Sequence, residues 1–321
     1  MNSSDIFVEK YRPSTFNNIK SQKHVISILQ EIMKDEENDK SFLFYGNSGI
    51  GKTTSILAFA KLYYGENYRN MIMELNASNY RGINTVNDII DKFANTSTFF
   101  IKRKKLVILD EFDSMTVDAQ MLLVNYIENS KNIFFCFICN YVDKIIEQIR
   151  SSCLCFKFKN ISLKETEEII SNIAKKENIK YNKSLVKHIY KFGNGDIRKC
   201  INIFQDLINT KIKTQNKIYQ KFNYPTSSCL KKIISILQNS EKNLVEKYKK
   251  LIKILNENKI SLKNIVEELT IWITKTTPEK LNITQEKYLN TIIKLGDIDY
   301  YLSGDYNEII QIYAIISCMS F

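Results

Sequence analysis

The sequence predicts an α/β fold, with a covered parallel sheet first, a small helical domain next and a helical C-terminal region last. Short apolar runs alternate with helix-like segments over the first half of the chain, and a glycine-rich turn joins the first run to the next helix. The second half carries its apolar residues at helical spacing. Strands that are apolar on both faces and separated by helices are typical of a parallel sheet covered on both sides.

The elements follow from local patterns. Strands are predicted at 41–45 (SFLFY), 71–75, 105–109 (KLVIL) and 133–139, and helices at 52–63, 163–177, 183–192 and 196–207. From residue 229 onward, LKKIISIL, LVEKYKKLIKIL and LKNIVEELTIWI repeat the i, i+3, i+4 pattern of amphipathic helices. Residues 222–228 (FNYPTSS) are a candidate linker. We therefore expect domains at 1–159, 160–224 and 225–321.

Length and composition exclude several classes of protein. The 321 residues are enough for two or three cores, and no apolar run approaches the roughly 18–20 residues of a membrane span. Seven cysteines, an odd number, do not indicate a disulfide framework. The net charge of +11 lies mostly in residues 160–321. Solvated lysines on helix faces and a phosphate-attracting surface both remain open as interpretations.

Residues 46–53, Gly-Asn-Ser-Gly-Ile-Gly-Lys-Thr, fit the G-x-x-x-x-G-K-[ST] pattern and are called the P-loop below. Glycines let the backbone N–H groups and the start of the next helix surround phosphate oxygens. Lys52 can reach the β- and γ-phosphates, and Thr53 can place its hydroxyl on Mg²⁺. Because the pattern lies between an apolar strand and a helix, it predicts a nucleotide site.

The strand ending in Asp110 and Glu111 supplies a second part of this chemistry. An apolar strand would deliver Asp110 beside the P-loop, where it can hold Mg²⁺, and Glu111 can accept a proton from the attacking water. No Asn-Lys-x-Asp segment, the pattern that reads guanine, is present. The sequence therefore predicts an ATPase.

Several further segments carry a family resemblance. In chain order they are EKYRP at 9–13, the P-loop, ELNAS at 74–78, RGI at 81–83, DEFDSMT at 110–116, AQ at 119–120, CNY at 139–141 and GDIR at 195–198. The series resembles the small subunits of replication factor C, the eukaryotic sliding-clamp loader of the AAA+ class. The resemblance is dense over residues 5–207. From about residue 225, only length and helicity match the collar domain of that family.

The resemblance implies a fold and a set of site residues. It implies an AAA+ sheet domain, a helical lid and a collar that mediates assembly. Val8 matches a position beside the adenine, and Arg12 one near the nucleotide. Asn140 matches the sensor that orients the attacking water, and Arg198 the sensor arginine of the lid. The expected catalytic residues are Glu111, Asn140 and Lys52. The expected metal ligands are Thr53 and Asp110. The expected nucleotide-binding residues are Val8, Arg12, Gly46, Asn47, Ser48, Gly49, Ile50, Gly51, Lys52, Thr53, Thr54, Asn140 and Arg198.

The chain departs from the family pattern at basic positions. Ser152 stands where the family has the arginine of Ser-Arg-Cys, which reaches the ATP of a neighbouring subunit, and Arg150 lies two positions earlier. Arginine fingers of this kind contribute on the order of 10³–10⁵ in rate. Further substitutions at positions that are basic or acidic in the family are Asn79, Tyr80, Asn87, Asp91, Val124 and Asn125. We therefore expect ring partners to provide more of the grip on DNA.

The resemblance implies an ATP-binding clamp-loader subunit that acts in DNA replication with ATP and Mg²⁺. The implied partners are other replication factor C subunits, the sliding clamp and primer–template DNA, with no membrane, in the nucleus. KRKK at 102–105 is similar to a minimal nuclear-import patch, but we expect a solvated loop there. Two alternatives stay open: a structural subunit that binds nucleotide but hydrolyses little, and an AAA+ remodeller of another substrate.

Overall fold

The computed structural model describes residues 6–34, 40–79, 83–96, 103–130, 132–212, 214–239, 243–304 and 307–320, with the backbone alone at 83–88. The chain forms two compact units, Met1–Asn209 and Thr210–Phe321. The predicted boundaries at 160 and 225 remain predictions. Among the positions singled out above, Tyr80, Arg81, Gly82 and the side chains of Ile83 and Asn87 lie outside this description.

Unit one contains a five-stranded sheet and ten α-helices among its described residues. The strands are β1 (Ser41–Tyr45), β2 (Ile72–Asn76), β3 (Lys105–Asp110), β4 (Ile133–Cys139) and β5 (Cys153–Lys157). The helices are α1 (Phe7–Lys10), α2 (Lys23–Ile32), α3 (Lys52–Tyr64), α4 (Tyr68–Met71), α5 (Ile83–Asn95), α6 (Val117–Asn129), α7 (Glu147–Ser152), α8 (Leu163–Lys176), α9 (Ser184–Gly193) and α10 (Ile197–Asn209).

The sheet has the order β2-β3-β4-β1-β5, and all four strand pairs are parallel. Side chains alternate between its two faces because the side-chain period of a strand is two residues. On β1, Phe42 and Phe44 belong to one core and Leu43 to the other. On β4, Cys136 and Cys139 belong to different cores. The predicted parallel sheet covered on both faces is confirmed.

The edge strand β5 is the strand that sequence patterns missed, and the helices α2, α5, α6 and α7 were not predicted either. Its buried side chain is Phe156, whereas Cys155 on the same strand is exposed. Its apolar run is the four residues 153–156, and one face of this edge strand is solvated. It pairs with β1 from Ser41↔Cys153 to Tyr45↔Lys157 and leads out of the sheet toward α8.

Lys105, at the first position of β3, corrects the expectation of a solvated KRKK loop. Its side chain is only 4% exposed. The ammonium group donates to the Phe93 carbonyl oxygen at 2.6 Å and to the Thr96 hydroxyl at 2.9 Å, both at the end of α5. The guanidinium of Arg103 lies 4.4 Å from the Tyr63 ring centroid. Two residues of the run thus pack against unit one, and Lys102 lies outside the described residues.

Three helices, α8, α9 and α10, follow β5 and are called the lid below. Ser162 begins α8 with a capping box, in which its hydroxyl accepts from the Glu165 N–H and the Glu165 side chain accepts from the Ser162 N–H. The buried face of the lid includes Ile170, Ile189 and Phe204. All three helices match their predicted positions to within two residues.

All regular elements in the described residues of unit two are helices. Its helices are α11 (Gln215–Lys221), α12 (Ser227–Gln238), α13 (Leu244–Asn258), α14 (Leu262–Thr274), α15 (Pro278–Leu281), α16 (Gln285–Leu302) and α17 (Glu308–Cys318). Its core is built from isoleucine and leucine, among them Ile233, Leu251 and Leu269. Within the described ranges of the chain, no helix is long and apolar enough to span a membrane.

Candidate nucleotide-binding site

The P-loop connects β1 to α3 through backbone conformations that favour glycine. Gly46 has φ 138° and Gly49 has φ 67°. A Cβ atom at Gly46 would lie 2.6 Å from the Phe158 carbonyl oxygen, and one at Gly49 would lie 1.8 Å from a carboxylate oxygen of Asp196. Glycine is therefore required at both positions by backbone conformation and by close neighbours. The sequence pattern fixes Gly46, whereas Gly49 occupies one of its variable positions.

Lys52, at the start of α3, is held by three acceptors. Its Nζ donates to the carbonyl oxygens of Gly46 at 2.5 Å and Asn47 at 2.7 Å, and to Oδ1 of Asn140 at 2.9 Å. These bonds use all three donors of an ammonium group. The side chain is 7% exposed. Burial lowers the pKa of Lys52, while the nearby Asp110 carboxylate acts in the opposite direction.

Thr53 and Asp110 meet where β3 ends. The Thr53 hydroxyl donates to Oδ2 of Asp110 at 2.7 Å, and Oδ1 of Asp110 accepts from the Glu111 N–H at 2.8 Å. A hydroxyl and a carboxylate in contact are oxygen ligands of the kind that Mg²⁺ prefers, with water and phosphate oxygens completing its shell. The donor set fits the predicted metal. The two predicted ligands are thus brought together.

Glu111 follows in a backbone conformation that is uncommon for its residue type. Its φ is 55°, in the left-handed region. Its carbonyl oxygen accepts from the Ser114 N–H at 2.9 Å, which closes the turn that follows. The side chain is exposed at the carboxyl edge of the sheet. Strained backbone of this kind is often found at functional sites.

Asn140 follows β4, the strand between β3 and β1, so it lies between the Asp110 and P-loop ends of the sheet. Its backbone N–H donates to Oδ2 of Asp113 at 3.3 Å, and the N–H of Tyr141 donates to the same oxygen at 3.2 Å. Asp113 thus anchors the backbone whose side chain contacts Lys52. Sequence reasoning did not single out Asp113, although the repeated acid in DEFD was a usable signal.

The lid approaches the P-loop at the start of α10. The Ile197 N–H donates to the Gly49 carbonyl oxygen at 3.1 Å. Asp196 caps α10, since its Oδ1 accepts from the N–H groups of Arg198 at 2.8 Å and Lys199 at 3.1 Å. The Arg198 side chain is exposed, and its charge is a minor cause, after burial, of the lowered pKa of Lys52. Arg198 is therefore close enough to the P-loop to influence its lysine.

Comparisons with known proteins agree with this geometry. Residues 42–162 match the family model of the AAA ATPases associated with various cellular activities, and residues 225–318 match that of the replication factor C C-terminal domain. Probable replication factor C subunit 5 of Dictyostelium discoideum is 34% identical over 97% of this chain and 89% of its own length. The chain belongs to the replication factor C family.

Two further relatives are also replication factor C subunits. Replication factor C subunit 5 of Homo sapiens is 32% identical over 97% of this chain and 90% of its own length. Replication factor C subunit 3 of Saccharomyces cerevisiae is 34% identical over 98% of this chain and 92% of its own length. A Thermotoga maritima RuvB structure, with a TM-score of 0.55 and 16% identity, covers 81% of this chain and 91% of its own and shares the fold. The sequence prediction of a replication factor C subunit with an AAA ATPase fold is confirmed, and the family match extends through the C-terminal region.

The N-terminal segment of this replication factor C subunit packs on the lid. The Phe7 N–H donates to Oε1 of Gln205 at 3.0 Å, and Lys10 donates to Oε1 of Glu177 at 2.5 Å. Val8 lies in α1 and is half-buried. Arg12 is exposed and pairs with Glu9 at 3.7 Å. In the described part of the chain, neither Val8 nor Arg12 is joined to the P-loop by a hydrogen bond or an ion pair.

Helix α7 carries the residues that the family resemblance places toward a neighbouring subunit. The hydroxyl of Ser152 donates to the Gln148 carbonyl oxygen at 2.8 Å, and that of Ser151 donates to the same oxygen at 3.0 Å. Arg150 is exposed, and its carbonyl oxygen accepts from the Cys155 thiol at 3.4 Å. Both serine hydroxyls therefore bond back to their own helix.

Most of the other departures from the replication factor C pattern lie on α5 and α6. Asp91 accepts a hydrogen bond from the Tyr126 hydroxyl at 3.0 Å. Val124 is half-buried and Asn125 is exposed on α6. Asn79 ends a short 3₁₀ turn after β2. Asp91 and Tyr126 thus form a contact between α5 and α6 where a basic side chain was expected from the family.

Proposed function

We propose that this chain binds and hydrolyses ATP as a small subunit of a replication factor C clamp loader. The observation that carries the proposal is the meeting of Lys52, Asn140 and the Thr53–Asp110 pair at the carboxyl ends of three neighbouring strands. Ligands of open parallel sheets bind at this edge.

Each side chain has a distinct proposed task. Lys52 is already aimed across the P-loop and would exchange its carbonyl acceptors for β- and γ-phosphate oxygens. Asn140 would orient the attacking water, and Arg198 would contact the nucleotide from the lid. The other proposed nucleotide contacts are Val8, Arg12, Gly46, Asn47, Ser48, Gly49, Ile50, Gly51, Thr53 and Thr54.

Thr53 and Asp110 would hold Mg²⁺, which supplies positive charge beside the phosphates. Glu111 would take the proton of the attacking water, because its carboxylate is exposed one residue beyond Asp110. The bond from the Glu111 N–H to the Asp110 carboxylate orients the proposed metal ligand.

The wider role follows from the family. We propose that the chain assembles with other replication factor C subunits, that the ring opens a sliding clamp and places it on primer–template DNA, and that it does so in the nucleus. ATP binding would favour the clamp-holding form and hydrolysis would release the clamp. Binding to DNA would rest on phosphate contacts, which are sensitive to salt.

Replacement of Lys52 tests the nucleotide site. Lys52→Ala should weaken ATP binding by more than about tenfold, or about 1.4 kcal/mol, because a charge facing the phosphates is lost. Isothermal titration calorimetry of the full chain with ATP and Mg²⁺ measures the affinity. Lys61→Ala, farther along α3, is the matched control and should bind ATP as the wild type does. Unchanged affinity in Lys52→Ala would remove the P-loop from the proposal.

A further inference from the structure

A short segment between β5 and the lid, residues 158–160, is called the hinge segment. Its first residue is still bonded to the sheet, since the Phe158 N–H donates to the Tyr45 carbonyl oxygen at 2.9 Å. Two residues after the segment, Ser162 caps the first helix of the lid. The chain runs from the sheet to the lid through these three residues, so a rotation of the lid relative to the sheet changes their backbone dihedral angles.

One side of the hinge segment is fixed by Gln22. The amide of Gln22 donates to the Lys159 carbonyl oxygen at 2.6 Å and accepts from the Lys159 N–H at 3.1 Å. The same amide nitrogen lies 3.4 Å from the Ile50 carbonyl oxygen of the P-loop. Gln22 thus pairs with the middle of the hinge segment as a neighbouring strand would, using both of the backbone groups of Lys159.

The other side is joined to the P-loop by two asparagines. Nδ2 of Asn47 donates to Oδ1 of Asn160 at 2.8 Å. The backbone carbonyl oxygen of Asn47 is one of the acceptors of Lys52. Asn160 also lies against the lid, because a Cβ atom at Gly195 would be 3.3 Å from the Asn160 Cβ. One asparagine therefore contacts the nucleotide lysine and the other the residues that precede α10.

We propose that Asn47 and Asn160 form a bridge that holds the lid in place over bound nucleotide, so that Asn160 is a positioning residue for nucleotide retention. The inference rests on the proposed ATP binding at the P-loop. When Lys52 turns toward phosphate it leaves the Asn47 carbonyl oxygen, so Asn47 lies in the part of the loop that changes partners on binding. Through Asn160, that change reaches the hinge segment and Gly195.

The bridge differs from the clamp made by Gln22. Gln22 bonds only to backbone groups of Lys159 and Ile50, so its bonds do not involve the acceptors of Lys52. Loss of the bridge should loosen the lid while Gln22 still holds the hinge segment. The bond from the Ile197 N–H to the Gly49 carbonyl oxygen also remains. The expected effect is therefore faster release of nucleotide and not loss of the fold.

A double-mutant cycle tests the bridge in the full chain. Asn47→Ala and Asn160→Ala should each raise the release rate of a fluorescent methylanthraniloyl-ATP, measured by stopped-flow chase with excess ATP, by about threefold to tenfold. The double variant should release no faster than the faster single variant, because both substitutions remove the same bond. Asn182→Ala is the control: it removes a lid hydrogen bond, to the Ser184 N–H, that does not touch the P-loop.

Hydrogen exchange supplies a readout that needs no nucleotide. Exchange at the amides of residues 160 and 161 should speed up equally in both single variants and in the double variant, and stay at the wild-type rate in Asn182→Ala. The Lys159 amide, which donates to Gln22, should keep its wild-type rate in every variant. Additive effects on release, unchanged release, or an equal effect in Asn182→Ala would overturn the bridge. A wild-type chain that fails to bind the analogue would overturn the proposed function as well, whereas normal binding with unaltered release would overturn the bridge alone.

Discussion

The two units of the chain use their sequences in opposite ways. In unit one, polar side chains from separate strands and helices converge. The Lys52 ammonium donates to Asn140, and the Thr53 hydroxyl donates to Asp110. In unit two, the distinctive side chains are apolar and exposed. Leu289 is 51% exposed and lies one helical turn before residue 293 on α16. Unit one gathers polar side chains at one edge of its sheet, whereas unit two exposes apolar side chains on its helices.

Most of the large exposed apolar residues in the described part of unit two lie on α16 and α17, while Leu244 and Val245 on α13 and Ile271 on α14 are exposed as well. Residues four apart share a helix face, so Leu289 and Ile293 form a continuous apolar stripe on α16. Ile309 and Ile310 are exposed on α17, where the Tyr313 ring stacks on Tyr248 with centroids 4.6 Å apart. Apolar surface is typical of protein interaction sites where it forms a contiguous patch, and the variants described below test whether these residues act in one. A function carried by a broad apolar surface is visible in the sequence only as helical periodicity, whereas a function carried by a few clustered side chains is visible as motifs.

The largest effect should come from the proposed base in unit one. Glu111→Gln keeps the size and hydrogen bonding of the side chain but removes the proton acceptor, so ATP hydrolysis by the assembled complex should fall by about 10²–10⁴ at this site. ATP affinity should be unchanged. Single-turnover hydrolysis measures the rate, and Asp118→Asn on α6 is the control. Equal rates in wild type and variant would support the structural-subunit alternative.

The next prediction tests whether unit one can contribute a side chain to the ATP site of a neighbouring subunit. Ser152→Arg should speed hydrolysis at the neighbouring subunit by about tenfold or more, because a trans cation would again face the developing phosphate charge. The affinity of this chain for ATP should not change. Rings in which the other P-loops are disabled isolate the rate. No gain from this variant, with no loss from Arg150→Ala, would mean that α7 contributes nothing to a neighbour.

A moderate effect should follow from charges placed on the stripe of unit two. Leu289→Asp combined with Ile293→Asp should lower the recovery of partner subunits by about tenfold, since each buried aspartate would lose its hydration at an interface. ATP affinity, measured by calorimetry, should stay at the wild-type value. The polar pair Asn290→Ala and Lys294→Ala on the same helix is the control. Normal recovery of partners would contradict an assembly role for this stripe.

The smallest effect concerns pH. Both histidines of the chain lie in unit one, and burial, with a smaller contribution from Lys191, lowers the pKa of His188 on α9. The unfolded chain then binds the proton more readily, so the stability of unit one should decrease as pH falls through 6.5 and level off below the lowered pKa. The slope cannot exceed about 1.4 kcal/mol per pH unit.

The two units can be followed separately in this pH experiment. Hydrogen exchange at α9 reports unit one, and the fluorescence of Trp272, the single tryptophan, reports unit two. Between pH 7 and 5.5 the α9 amides should lose protection from exchange in wild type and keep it in His188→Gln. The stability of unit two, followed by Trp272 fluorescence, should stay constant over this range. A matching change at Trp272 would show that acidification acts on more than His188.

Most of the fold was predictable because the central strands are buried on both faces. The runs 41–45 and 133–139 match β1 and β4 in full, and the helices of unit two follow their apolar spacing. The edge strand β5 was missed because it has one solvated face. Lys105 was misjudged because a charge pattern does not reveal that carbonyl groups at the end of α5 accept from a buried ammonium group. Local patterns predict elements but do not predict long-range partners.

The same limit applies to the candidate site. The P-loop and the Asp110–Glu111 pair were evident because their spacing is local. Gln22 and Asn160 gave no signal, since their partners lie more than one hundred residues away along the chain, at Lys159 and Asn47. Asp113 and Asp196 bond to backbone N–H groups, which any sequence supplies. Residues that position others are therefore harder to find from sequence than residues that act directly.

The exposed thiol of Cys155 has a practical consequence for spectroscopy. Five of the seven cysteines are buried and Cys153 is half-buried, so a maleimide dye should attach first at Cys155 on the edge strand. Partial burial raises the pKa of that thiol, which favours labelling at mildly alkaline pH, where more thiolate is present. A dye there would lie a few residues before the hinge segment, in the wild-type chain without any introduced cysteine. The protein thus carries its own attachment point for an optical reporter of lid movement.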